Sequence, residues 1–247
     1  MSSGAPANAG RDADIERTVA GWAGFDTGLP AGATSRSERR PGLILGARSI
    51  GLLGGSFNPA HEGHRYVSLL ALKRLRLDEV WWMLTPQNPL KNARDTAPFG
   101  ERLKAATRVA QHPRIRVTDI ERRLGTTHTA DTLALLLARF PKHRFVWLMG
   151  ADNLVQVSEW KDWRRIFRLV PIAVFSRPPY SKPAMVARAA RVFAKSRAAE
   201  SRARSVATMS PPAWVFLHIR AHPGSATRIR AGAAWAVTET RIAVGQC

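Results

Sequence analysis

From residue 48 onward, short apolar runs alternate with segments in which apolar residues recur at helical spacing. The predicted strands are RSIGLLGG (48–55), DEVWWMLTP (78–86), RIRVTDIE (114–121), RFVWLMG (144–150), VPIAVFSRP (170–178) and AWVFLHI (213–219). The predicted helices are HRYVSLLALKRL (64–75), FGERLKAATRVAQ (99–111), ADTLALLLARF (130–140), SEWKDWRRIFRL (158–169) and a last one begun by SATRIRA (225–231). Because strands that alternate with helices form right-handed βαβ units, we expect an α/β fold with a Rossmann-like, doubly wound, mainly parallel sheet in a single domain.

Two stretches depart from this rhythm. Residues 1–47 are rich in Gly, Ala, Ser, Pro and Arg, so we expect a flexible N-terminal extension before a domain over 48–231. The alternative is that Trp22 and Phe25 dock the extension onto the domain. Residues 181–210 carry basic side chains spaced among alanines, which predicts one solvated amphipathic helix and a loop.

Charge and cysteine content narrow the partners and the compartment. The net charge of +20 and the isoelectric point of about 11.6 suit anionic partners such as nucleotides, although a genome rich in arginine codons gives the same excess. The basic stretch 188–204 lacks the interleaved aromatic residues that stack on bases, so nucleic-acid binding is the less favoured alternative. With Cys247 as its one cysteine, no long apolar run and no signal-peptide core, we expect the protein to be cytoplasmic and not membrane-bound. Its oligomeric state stays open.

The segment GGSFNPAHEGH (54–64) joins the first predicted strand to the first predicted helix. Gly54 and Gly55 remove side chains where the strand ends, so that a ligand can approach the backbone. After an Asn-Pro turn, a helix that starts near Glu62 directs its free N–H groups at the same place, which suits a phosphate.

His61 and His64 lie three positions apart in this segment, with Gly63 between them. At a helix start this spacing places both imidazoles on one side, facing a bound anion. For either histidine the alternative is a structural role in the core. A zinc site would need a third and a fourth ligand, and the other five histidines are scattered, so we expect no metal held by protein ligands.

The segment GGSFNPAHEGH resembles the signature of the nucleotidyltransferase superfamily with an H-x-G-H loop, and within it bacterial nicotinate-nucleotide adenylyltransferases. The resemblance extends over about residues 49–231. It implies a sheet of the nucleotidyltransferase type and the transfer of AMP from ATP to nicotinate mononucleotide, with release of pyrophosphate. Mg²⁺ would enter with ATP. The tail at 232–247 is atypical of the end of such an enzyme.

The resemblance also implies the residues of the ATP site. His61 and His64 would contact the phosphates, with His64 the first choice for stabilising the transition state and Arg230 a further catalytic candidate. The segment GSATRIR (224–230) matches a second phosphate clamp, from whose family pattern Gly224 and Ala226 depart. The implied ATP-binding residues are Gly54, Gly55, Ser56, Phe57, His61, Gly63, His64, Ser225, Thr227 and Arg230.

Four residues are candidates for binding the acceptor. Lys91 in TPQNPLKN would reach the mononucleotide phosphate as a point charge, unless it is an ordinary loop lysine. Backbone N–H groups at Thr129, which opens a predicted helix, would hold the nicotinate carboxylate and favour the acid over the amide. Asp152 would accept hydrogen bonds from ribose hydroxyls. Trp160 would stack on the pyridinium ring, unless it is a core residue, as we expect of Trp81, Trp82 and Trp147.

Two other functions stay open from the sequence. One is the same transfer chemistry on another phosphorylated acceptor, such as nicotinamide mononucleotide or phosphopantetheine, or with CTP in place of ATP. The other is a basic RNA-binding protein on the same fold, which the charge and the stretch 188–204 support and which the intact loop and Lys91 argue against.

Overall fold

The structure is a computed structural model that describes residues 47–86 and 96–222. The predicted N-terminal extension and the predicted C-terminal tail lie outside these residues. So do the last predicted helix and the segment that contains Lys91.

A seven-stranded sheet forms the centre of the described part, and every pair of neighbouring strands is parallel. Its strands follow the order β3-β2-β1-β4-β5-β7-β6. The predicted Rossmann-like α/β fold is therefore confirmed. The strands are β1 (Ser49–Gly55), β2 (Glu79–Leu84), β3 (Ile115–Thr118), β4 (Arg144–Gly150), β5 (Ile172–Phe175), β6 (Arg197–Ala198) and β7 (Trp214–Leu217).

Helices connect the strands. They are α1 (Glu62–Arg74), α2 (Phe99–Ala110), α3 (Ile120–Arg123), α4 (Thr129–Arg139), α5 (Ala151–Gln156), α6 (Trp163–Leu169), α7 (Ser181–Val186) and α8 (Arg188–Val192), with 3-10 turns at Val157–Glu159, Ala194–Ser196 and Glu200–Thr208. Within the two described ranges, none of the helices has the length and apolar character needed to cross a membrane.

The two faces of the sheet carry separate apolar clusters. On one face Leu72 of α1 packs in the same cluster as Leu53 and Trp82. On the other face Leu154 of α5 packs in the same cluster as Trp147. The chain thus leaves β1 and its neighbour β4 towards opposite faces. Such a reversal opens a crevice at the carboxyl ends of these two strands, which is where ligands bind in this class of fold.

Strand β3 is shorter than predicted, because residues 120 and 121 belong to α3 and not to the strand. The hydroxyl of Thr118 accepts a hydrogen bond from the backbone N–H of Ile120 at 3.1 Å. A side chain that satisfies the first free N–H group of a turn favours a helix over continued pairing.

The predicted helix over 158–169 is also wrong in its first half. Helix α5 starts directly after β4, and α6 starts only at Trp163. Asp162, at the junction, has left-handed backbone angles (φ 52°, ψ 32°), which interrupt a right-handed helix.

Residues 181–210 do not form one solvated helix. They form α7, α8, two 3-10 turns and β6, which pairs with β7 at the edge of the sheet. Alanines that the sequence interpretation placed on a solvated helix are buried here, among them Ala184, Ala189 and Ala203. The basic side chains therefore lie on elements that cover the core.

Candidate active site

The loop from β1 to α1 begins with two glycines that have different surroundings. A Cβ on Gly54 would lie 2.5 Å from Cη2 of the Trp147 indole, so this glycine is required by core packing. A Cβ on Gly55 would have its nearest neighbour, Cε2 of Phe57, at 3.6 Å, which is an ordinary contact. Of these two glycines, only Gly55 has space for a Cβ that core side chains do not already fill.

Helix α1 begins at Glu62, as predicted, and its two histidines form the cap. His61 is the N-cap residue, and its Nδ1 accepts a hydrogen bond from the N–H of Gly63 at 3.1 Å. In return, Nδ1 of His64 accepts from the N–H of His61 at 3.2 Å. The two ring centroids are 3.9 Å apart. The structure thus brings both predicted histidines together, in a reciprocal capping box made of imidazoles.

This cap fixes the tautomer of both rings. A neutral imidazole that accepts at Nδ1 carries its proton on Nε2. Because the N–H groups of His61 and Gly63 donate to the rings, and that of His64 donates to the carbonyl of His61, these groups are not free for phosphate. Those three backbone groups are therefore not the donors for the expected anion, and the Nε2–H groups of the two rings stay candidates.

Both histidines are neutral at pH 7. The pKa of His61 is lowered to about 4, mainly by burial and also by the positive charge of Arg177 and by His222. Burial also lowers the pKa of His64 to about 3, with a second contribution from His61. Two imidazoles in contact disfavour a charge on either one, as like charges do.

Phe57 forms the floor of the histidine pair. Its ring stacks on Trp82 at a centroid distance of 5.0 Å and contacts His64 at 4.8 Å. Phe57 is buried and has a positive φ of 45°, which costs a non-glycine residue about 1 kcal/mol or more. The predicted ATP contact through Ser56 and Phe57 stays a prediction.

Asp152 lies in the first turn of α5, directly after β4. Its Oδ2 accepts a hydrogen bond from Arg177 Nη1 at 2.9 Å, whereas its buried Oδ1 has no hydrogen-bond partner within the described part of the chain. Gly150 leaves room for this carboxylate, since a Cβ there would lie 2.3 Å from Oδ1. A buried carboxylate oxygen that lacks a donor costs free energy, so Oδ1 is suited to accept from a ligand hydroxyl.

Arg177 is a site residue that the sequence analysis missed. It follows β5, the neighbour of β4, and its charge acts on both His61 and His64. It therefore lies at the same edge of the sheet as the histidine pair. The sequence did contain a signal for Arg177. Arg177 lies two residues after the buried strand β5, just as Asp152, which was selected for this reason, lies two residues after β4.

The structure says less about the remaining predicted residues. Thr129 opens α4, as predicted, and is half-buried. Trp160 follows a 3-10 turn and packs partly buried against the core cluster of β4, so its predicted stacking on a ligand stays a prediction. Trp81, Trp82 and Trp147 are buried in strands. The predictions for Lys91, Ser225, Thr227 and Arg230 fall outside the described residues.

No group of three or more His, Cys, Asp or Glu residues that could hold a metal ion occurs in the described ranges.

The parallel sheet, with a histidine-capped helix after β1 where the connections change face, is the arrangement that the resemblance to nucleotidyltransferases predicts. The sequence comparisons support the same class of protein. The family model described as cytidylyltransferase-like matches residues 52–232. The chain belongs to this cytidylyltransferase-like family.

Its relatives within the family share a more specific name. A protein of Cereibacter sphaeroides named probable nicotinate-nucleotide adenylyltransferase is 52% identical over 186 residues, which cover 75% of this chain and 98% of the relative. A protein of the same name from a Ruegeria species is 47% identical over 187 residues, covering 76% and 98%. The solved structure of Plasmodium falciparum nicotinic acid mononucleotide adenylyltransferase complexed with NaAD has the same fold, with a TM-score of 0.57, 16% identity and coverage of 74% of this chain and 83% of that one.

Proposed function

We propose that the protein is a nicotinate-nucleotide adenylyltransferase, which transfers AMP from ATP to nicotinate mononucleotide and releases pyrophosphate. The observation that carries the proposal is the capped pair His61 and His64 beside the Gly55 turn, whose Nε2–H groups have no backbone partner among the residues that the structure describes. The names and near-complete coverage of its relatives support the choice of acceptor.

The reaction needs no protein nucleophile or base. An oxygen of the mononucleotide phosphate forms a bond to the α-phosphorus of ATP, and the bond from that phosphorus to the pyrophosphate oxygen breaks. Because a phosphate monoester is already anionic at neutral pH, no proton must be removed from the attacking oxygen. Catalysis then consists of aligning the two phosphates and stabilising charge on the leaving pyrophosphate.

The histidine pair is suited to the second task. Neutral imidazoles with fixed Nε2–H groups donate hydrogen bonds to phosphate oxygens without first losing or gaining a proton. Preorganised donors in a partly buried site act more strongly than the same groups in water. In the proposal His64, the more deeply buried ring, binds the α-phosphate, and His61 binds an adjacent oxygen.

The other roles follow from the edge of the sheet. The free Oδ1 of Asp152 accepts from a ribose hydroxyl, and Arg177 holds that carboxylate in place. N–H groups at Thr129 bind the nicotinate carboxylate. The proposal further assigns the acceptor phosphate to Lys91, ring stacking to Trp160, and a second phosphate clamp to Ser225, Thr227 and Arg230.

Mg²⁺ belongs to the proposal as the counter-ion of ATP. The described residues provide no cage for it, so the phosphates are its expected ligands. Bound there, it neutralises part of the charge of the leaving pyrophosphate.

A panel of acceptors tests the proposal. The purified protein with ATP and Mg²⁺ should release pyrophosphate with nicotinate mononucleotide, at a kcat/KM at least about tenfold above that with nicotinamide mononucleotide. Phosphopantetheine, and CTP in place of ATP, complete the panel, and mass spectrometry of the dinucleotide identifies the product. Turnover with another acceptor and none with nicotinate mononucleotide would show that the acceptor is wrong. RNA binding at moderate salt without any turnover would favour the nucleic-acid alternative.

A further inference from the structure

Arg102 is a buried cation whose hydrogen bonds all go to the main chain. It lies in the first turn of α2 with 3% of its surface exposed. Its Nε donates to the carbonyl of Ala97 at 2.9 Å, and its two Nη atoms donate to three further carbonyls. Burial lowers the pKa of its guanidinium. Burying a charge costs free energy unless the charge is hydrogen-bonded, and four carbonyl groups supply those hydrogen bonds here. A buried arginine with this many main-chain partners needs a physical explanation.

The carbonyls that Arg102 binds belong to two different loops. Nη1 donates to the carbonyl of Ser56 at 2.7 Å, in the loop after β1, and to that of Thr85 at 3.0 Å, directly after β2. Nη2 donates to the carbonyl of Pro86 at 2.7 Å. One planar group thus spans the turn that leads to the histidines and the chain that leaves the neighbouring strand.

Side chains from both loops reinforce this junction. Asn58 of the first loop accepts from the N–H of Ala97 through Oδ1 at 3.2 Å. Glu121, buried at the start of α3, hydrogen-bonds the side chain of Thr85. On its other side, Arg102 lies against the ring of Phe99, with Cζ 5.4 Å from the ring centroid. The guanidinium is therefore held in one orientation from several directions.

No other side chain can replace this arrangement. The guanidinium has five N–H donors in a rigid plane, and four of them are directed at separate carbonyls here. A lysine has three donors on one atom, so it can reach one of the two loops but cannot fix the distance between them.

We propose that Arg102 is a positioning residue that sets the ATP-binding turn at Ser56 relative to the loop after β2. This inference rests on the proposed function, in which the β1 loop carries ATP and the chain after β2 leads to the acceptor phosphate. Arg102 touches neither substrate. Loss of the guanidinium leaves each loop able to bind its own ligand and removes the alignment between them.

Such a role affects the rate more than it affects binding. A misplacement of about 1 Å between reacting groups costs on the order of a hundredfold in rate. We therefore expect Arg102→Lys and Arg102→Met to lower kcat by at least about 30-fold, while the dissociation constants of the α,β-methylene analogue of ATP and of nicotinate mononucleotide, each titrated alone, stay within about threefold of wild type. In the ternary complex, any mutual strengthening of the two ligands in wild type should be lost in both variants.

Two variants on the same helix serve as controls. Ala106→Gly removes a buried methyl group from α2 and lowers stability without touching the carbonyls. Arg108→Met removes an exposed arginine. Both should keep kcat within about twofold of wild type when measured well below their melting temperatures.

The outcomes separate this inference from the proposed function. If wild type itself fails to adenylylate nicotinate mononucleotide, the proposed function is wrong. If wild type is active and the Arg102 variants keep kcat within threefold, or if Ala106→Gly loses as much activity as they do, the inference about Arg102 is wrong. It is also wrong if neither Arg102 variant folds, because the residue then serves the fold alone.

Discussion

The two adjacent glycines at the end of β1 give a test that separates packing from ligand binding. A methyl group on Gly54 would lie 2.5, 3.2 and 3.4 Å from three carbons of the Trp147 ring. That indole is 2% exposed and lies in β4, so it has little freedom to move away. Overpacking of this kind costs about 1–3 kcal/mol. For a domain of this size, each kcal/mol lowers Tm by about 2–4 °C, so Gly54→Ala should lower Tm by about 2–12 °C.

Gly55→Ala should behave in the opposite way. Its new methyl group would contact Phe57 at 3.6 Å, which needs no rearrangement, so Tm should change by less than about 2 °C. If the triphosphate lies against the backbone at this residue, the same methyl group obstructs it. We then expect KM for ATP to rise by at least about tenfold, measured by pyrophosphate release at saturating nicotinate mononucleotide.

Gly51→Ala is the matched control. Its methyl group would meet the ends of the Leu77 and Leu148 side chains at 2.7 and 2.8 Å, at the buried start of the same strand and away from the site. It should lower Tm while leaving KM for ATP unchanged. The reasoning is refuted if Gly54→Ala keeps the Tm of wild type, or if Gly55→Ala binds ATP normally.

Three further predictions concern titratable groups. His64→Ala should lower kcat by about a hundredfold or more in steady-state assays of pyrophosphate release, whereas loss of the cap bond to the His61 N–H should lower Tm by only a few degrees, and an unchanged kcat would remove His64 from the mechanism. The pKa of His64 is about 3 in the folded protein against 6.5 unfolded, so the unfolded state binds more protons below pH 6.5 and stability is lost as the pH falls from there towards 3. At pH 5 the loss from His64 is roughly 2 kcal/mol, and urea unfolding at pH 5 and 7.5 should show a correspondingly weaker pH dependence for His64→Gln than for wild type. Burial raises the pKa of Glu121 from 4.5 to about 7, so its neutral form is the stable one in the fold and stability is lost as the pH rises from 4.5 to 7. Glu121→Gln should therefore be up to about 3 kcal/mol more stable than wild type at pH 8 and about equal at pH 4.5, and an equal difference at both values would contradict the assignment.

The elements around the site were the most predictable from sequence, for a physical reason. Strands β1 and β4 are buried on both faces, and the loops that follow them carry their functional groups within a few residues. Local pattern therefore determined the start of α1 at Glu62 and of α4 at Thr129. Residues 181–210 were mispredicted because most of their buried residues are alanines, which no hydrophobic pattern separates from a solvated helix. Phe193 and Val206 are also buried there, but they are too few to give a periodic signal.

Residues that act across the sheet could not be predicted in the same way. Arg102 lies far in sequence from the histidines and reaches the site through strand order, which the sequence leaves undetermined. Arg177 also depends on strand order, and only its place after the buried strand β5 marks it in the sequence. The packing role of Gly54 was missed for the same reason. Its partner Trp147 is on β4, which becomes a neighbour of β1 only in the folded sheet.

The spacing of the two histidines is explained by helix capping before any ligand is considered. A capping box pairs the N-cap residue with the third residue of the helix, so the second imidazole must come three positions after the first to reach the N–H of His61. That hydrogen bond is accepted by Nδ1 of His64, and the one from the N–H of Gly63 is accepted by Nδ1 of His61. The Nε2–H group of each ring is therefore the donor that can reach a ligand. Because the rings are buried, lie 3.9 Å apart and are near Arg177, they stay neutral and keep these donors without needing a proton from solvent. If the second histidine came four positions after the first, its ring would not reach the N–H of His61. Its proton would then no longer be fixed on Nε2. The motif therefore encodes a fixed pair of neutral donors. In the proposed mechanism, negative charge that develops on pyrophosphate strengthens their hydrogen bonds as the transfer proceeds.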